Sequence, residues 1–65
     1  MKKFKVRKFE KHLRKHGCVL DHEGGDHSIW YNLKNGMDAS LVRHEEIKQG
    51  TADAICIRLD IPLYR

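Results

Sequence analysis

Two stretches of helical periodicity bracket a middle that alternates like a sheet, and this order leaves few ways to fold. Val6, Phe9 and Leu13 recur at i, i+3 and i+7 among charged residues, with His12 and His16 flanking the stripe. The spacing predicts an amphipathic helix over residues 5–16. Gly17 follows, where a left-handed residue commonly closes a helix, and Lys15 and His16 suit the negative end of the helix dipole. Towards the other end Ala52, Ile55, Cys56 and Leu59 follow i, i+3, i+4 and i+7. A second helix is therefore expected from a Thr51 cap, with Asp53 in its first turn, to Asp60; Pro62 stops it.

Between the helices three strands are expected. The first runs over Cys18–His22, with Cys18 and Leu20 on one face and Val19 and Asp21 on the other. Glu23–Asp26 turns the chain, and a second strand covers His27–Leu33. Asn35-Gly36 predicts a type I′ hairpin, because both residues tolerate positive φ. The third strand, Met37–Val42, sets Ala39 and Leu41 against Asp38 and Ser40. Arg43–Glu46 is a polar break, and Ile47 pins a short turn before Gly50. The order α-β-β-β-α predicts an α+β fold with two helices on one face of a three-stranded antiparallel sheet, the other face open to a partner. With 65 residues, one domain spanning 1–65 and one thin core are expected, so any chemistry belongs on a surface or in a shallow groove.

Charge narrows the partners. Residues 1–16 carry eight Lys or Arg against one acid, Glu10, a local charge of +7 on a chain whose total is +4. Such polarity suits a polyanion, nucleic acid first and a membrane surface second, although a basic helix face can equally serve solubility alone. No apolar run is long enough to span a bilayer, and no apolar segment follows the basic N-terminus as in a secretory signal. Cys18 and Cys56 sit in apolar patterns and are expected to be reduced core thiols, which points to the cytoplasm.

The sharpest candidate for chemistry is His27. It stands at the exit of Gly24-Gly25-Asp26, at the head of the aromatic, β-branched run Ser28–Tyr31. A strand start holds a side chain in place while leaving it near solvent. An imidazole, which ordinarily titrates near neutrality, is suited to proton transfer at a phosphodiester. Spacing alone leaves His27 indistinguishable from a surface histidine. Cys18, His22 and His27 offer metal-ligand types, but their spacing matches no common zinc pattern, and no metal is expected. Trp30 and Tyr31 could stack on bases, though alternation sends at least one of them into the core. Arg43 and His44 could clamp phosphate, or form an ordinary solvated loop.

Taken together, Gly17-Cys18-Val19-Leu20, Gly25-Asp26-His27, Val42-Arg43-His44, Glu46-Ile47-x-x-Gly50-Thr51 and Leu59-Asp60-Ile61 resemble the HicA family of type II toxin–antitoxin toxins in order and spacing. The likeness covers residues 4–61. It implies a double-stranded-RNA-binding-domain-like fold, an mRNA-cleaving endoribonuclease, and neutralisation by a HicB-type antitoxin. The family's single catalytic histidine falls on His27. Three positions depart from the family's habit: Asp26 replaces a serine, Val42 a proline, and Cys18 an aromatic residue. A carboxylate at Asp26 could orient the imidazole and would also repel phosphate.

The reading that results is a toxin acting as a metal-independent endoribonuclease without cofactor. His27 is the proton-transfer group, and Lys8, Lys11, Lys15, Arg43 and His44 hold the RNA. His12, His16 and His22 are expected to be replaceable. The alternative is a non-catalytic RNA-binding module or an inactivated toxin relative using the same basic face.

Overall fold

A computed structural model describes residues 3–42 and 44–64. Its elements are β1 (Lys3–Lys5), α1 (Val6–Lys15), β2 (Cys18–Gly24), β3 (His27–Asn32), β4 (Asp38–Val42), β5 (Glu46–Lys48) and α2 (Gln49–Leu59). The expected α+β arrangement forms: α1 and α2 bracket an antiparallel sheet ordered β2-β3-β4. Both helical stripes are buried as their periodicity requires. Val6, Phe9 and Leu13 from α1 meet Ala52, Ile55, Cys56 and Leu59 from α2 over Cys18, Trp30, Ala39 and Leu41 of the sheet. Gly17 closes α1 at φ +86°. Among the described residues no helix is long and apolar enough to cross a membrane.

Three local expectations are corrected. First, β1 and β5 form a two-stranded antiparallel sheet in which Phe4 pairs with Ile47, where the sequence suggested only a helix start and a turn. Three-residue strands with one apolar residue each carry no readable period; they form because Phe4 and Ile47 pack on the core. Second, α2 begins at Gln49 with Lys48 as its cap and no capping side chain, because β5 runs straight into it and leaves Thr51 inside the helix. Third, Asn35-Gly36 does not make a type I′ turn. Only Gly36 has positive φ, at +76°, and the loop is longer. Asn32 closes it from one end, its N–H donating to the Met37 carbonyl at 2.8 Å while its own carbonyl accepts from Gly36 N–H at 2.8 Å.

Candidate functional site

Strand β3 is the centre of the sheet, and its alternation is clean. Ser28, Trp30 and Asn32 are buried towards the helices, while His27, Ile29 and Tyr31 point to the other face. The buried polar atoms on the helix side are satisfied. Trp30 Nε1–H donates to Ser28 Oγ at 3.2 Å, and that hydroxyl donates to the Leu41 carbonyl at 3.3 Å. The Arg14 guanidinium lies 5.1 Å from the centre of the Trp30 ring. Trp30 is thus a core residue, and Tyr31 alone of the aromatic pair shares a face with His27.

His27 is exposed at the first position of β3, in register with Gly24 on one side and Val42 on the other. The turn before it is tighter than expected: β2 continues to Gly24, and Gly25-Asp26 reverses the chain with Gly25 at φ +54°. Backbone pairing on both sides fixes His27 while its ring faces open solvent.

Strand β2 holds a feature that period-two reading could not supply. Leu20 pairs with Trp30, yet His22, not Asp21, pairs with Ile29, so Asp21 is an extra residue in a β-bulge. Strict alternation would have put His22 with Cys18 and Leu20 towards the helices. The bulge turns His22 and Gly24 over to the face of His27. There Nε2 of His22 lies 3.3 Å from the point where a Cβ on Gly24 would stand. Cys18, by contrast, is buried on the helix side, where burial pushes its thiol pKa up. The Cys18–His22–His27 set is split between two faces.

The remaining candidates lie elsewhere. His44 is exposed beyond β4 and lines a shallow hollow with Lys3, Val42, Glu46, Lys48 and Thr51. Arg43 lies outside the described residues. Lys8, Lys11 and Lys15 share one side of α1, where with His12 and His16 they border a groove of about 440 Å³ against the C-terminal Pro62–Tyr64. This tail packing was not legible in the sequence. It is built by His12 Nε2–H donating to the Pro62 carbonyl at 2.6 Å and by Tyr64 meeting Phe4 edge-on at 4.7 Å. The rings of His12 and His16 are 4.5 Å apart. Burial first, then the nearby charges of His12, Lys15 and Lys34, lower the pKa of His16. The groove is a cationic surface fit for an anionic chain, but it belongs to the helix layer, whereas His27 emerges on the opposite side of the sheet.

A family model described as the HicA toxin of bacterial toxin–antitoxin matches residues 6–61. No curated protein and no solved structure matches the chain in the corresponding comparisons.

Proposed function

Because the chain belongs to the HicA toxin family of bacterial toxin–antitoxin systems, we propose that it is an endoribonuclease that cuts mRNA without a metal or other cofactor, with His27 at the reacting phosphodiester. The observation that carries this reading is the placement of His27: exposed, on the central strand, and held in register from both sides by Gly24 and Val42. A phosphodiester laid across the open sheet face can reach that ring without entering a pocket. His27 accepts the proton of the ribose 2′-OH as its oxygen attacks the adjacent phosphorus, and the P–O5′ bond breaks. The RNA backbone is held by Lys8, Lys11 and Lys15 from the helix groove and by Arg43 and His44 beyond β4. Tyr31, on the face of His27, is available to stack on a base. A HicB-type antitoxin covers His27, and the reaction takes place in the cytoplasm, where mRNA is found.

The reading is tested with the purified full chain and single-stranded RNA in excess EDTA, where cleavage is expected. A second reading, a non-catalytic RNA-binding module or inactivated relative, draws on the separation of the lysine groove from His27, since RNA held there need not meet the ring. RNA that is bound and left intact would favour it.

A further inference from the structure

A cleavage that begins with proton removal from the 2′-OH must end with a proton delivered to the departing 5′-oxygen, and His27 can do only one of these at a time. We infer that His22 is the second proton-transfer group of the site, an assignment that rests on the endoribonuclease reading above. His22 and His27 are both exposed on the same sheet face. They are brought together by two devices. The bulge at Asp21 reverses the facing of β2, so that His22 stands opposite Ile29 and Gly24 opposite His27. Gly24 then leaves the room: the His22 ring lies over it, with Nε2 and Cδ2 at 3.3 and 3.9 Å from the position of an absent Cβ. Gly24 is directly opposite His27, and residues so paired have Cβ positions about 4.5–5.5 Å apart, so the His22 ring over Gly24 and the His27 ring flank the same stretch of the sheet face. Gly24 does not have positive φ, unlike Gly25. Its lack of a side chain serves space, not backbone conformation.

The chemistry balances with these two groups. Neutral His27 takes the 2′-OH proton while the 2′-oxygen bonds to phosphorus. Protonated His22 gives its proton to the 5′-oxygen as the P–O5′ bond breaks. The products are a 2′,3′-cyclic phosphate and a free 5′-OH, and the two imidazoles exchange protons with water before the next turn. His22 is therefore set apart from His12 and His16, which lie against the tail on the helix side.

The test uses the full chain and two RNA oligonucleotides, one with an ordinary linkage and one with sulfur replacing the bridging 5′-oxygen at the cut site. A thiolate leaves without a proton donor, so it separates the two roles. His22→Ala is expected to lose on the order of 10²–10⁴-fold on the oxygen substrate and to cut the sulfur substrate at nearly the wild-type rate. His27→Ala is expected to lose activity on both. His22→Gln, which keeps the bulk and polarity of the ring site, should behave as His22→Ala does, and Gly24→Ala, which crowds the His22 ring, should slow only the oxygen substrate. No loss in His22→Ala, or an equal loss on both substrates, overturns the assignment. Rescue of His27→Ala by sulfur overturns the division of roles. Wild-type protein that cuts neither substrate overturns the endoribonuclease reading itself, and this inference with it.

Discussion

Asn32 Nδ2–H donates a 2.7 Å hydrogen bond to the main-chain carbonyl of Leu59, fastening the end of β3 to the last turn of α2. Asn32 is 2% exposed, and its Oδ1 accepts from Lys34 N–H at 2.9 Å. Asn35 Nδ2–H reaches the same Leu59 carbonyl at 3.1 Å. One amide thus joins the sheet, its loop and a helix C-terminus. Asn32→Ala is expected to cost about 1–3 kcal/mol by removing both hydrogen bonds of a buried amide. In a chain of this size each kcal/mol lowers the melting temperature by about 4–8 °C, and thermal denaturation reads the difference directly. Asn35→Ala, on an exposed side chain whose bond to Leu59 is the longer of the two, should cost less.

His27→Ala is expected to reduce RNA cleavage at least ~10²-fold while leaving the melting temperature nearly unchanged, since the side chain is exposed. Gel assays on purified protein and growth arrest on induction give two independent readouts. A variant that still cuts at the wild-type rate removes His27 from the chemistry.

Removing Lys8, Lys11 and Lys15 together should weaken RNA binding to a similar degree for every sequence, because the groove they border offers charge and no base-reading pocket. For each phosphate of a single strand that is no longer neutralised, the dependence of log K on log salt should flatten by about 0.7. An unchanged slope from filter binding across a salt series would reduce these lysines to a solubilising face.

The lowered pKa of His16 has a signed consequence. Unfolded, the imidazole titrates near 6.5; folded, it gives up its proton at lower pH. The unfolded chain therefore binds more protons between those two values. His16 contributes stability that is present above pH 6.5 and is lost as pH falls through the folded value. Urea midpoints measured from about pH 7.5 down to about pH 5 should fall for the wild type and fall less for His16→Gln.

The antitoxin should bind the open sheet face around His27, where Val19, Ile29 and Tyr31 supply apolar area beside the imidazole. A stable interface buries about 1,200–2,000 Å² in total, and the toxin's half is roughly a fifth of its 4482 Å² surface. Hydrogen exchange with and without the antitoxin should show protection at β3 and at the Gly25-Asp26 turn. Tight binding with protection confined to α1 and continued RNA cleavage would contradict occlusion.

The helices were legible in the sequence because each buries a stripe long enough to reveal its period: Val6, Phe9 and Leu13 in one, Ala52, Ile55, Cys56 and Leu59 in the other. Strand β4 shows the alternation read from it, with Ala39 and Leu41 buried, whereas β3 was legible as a strand but not by face, because Ile29 and Tyr31 on one side and Trp30 on the other are all apolar or aromatic. What stayed hidden depends on partners distant along the chain. Phe4 is not a strand residue until Ile47 is beside it. The tail is not placed until His12 and Tyr64 meet. His27 could be singled out from its own neighbours, whereas His22 could not, because its facing is decided by which residue of β3 it pairs with.

The bulge at Asp21 is where two independent rulers along β2 are reconciled. One is measured from the core, where Cys18 pairs with Asn32; the other is measured back from the turn, where Gly24 pairs with His27. The two disagree by a single residue, and Asp21 absorbs the difference. Removing Asp21 would leave an unbroken ladder with the same pairs, so the His22 ring would keep its side of the sheet. Removing Glu23 is a different matter, because a residue two steps from Gly24 shares its face and a residue one step away does not. Among natural variants of this chain, length is therefore free to change between Leu20 and His22 and fixed between His22 and the turn. An alignment gap at Glu23 would mark a histidine that is still written in the sequence but faces the wrong way.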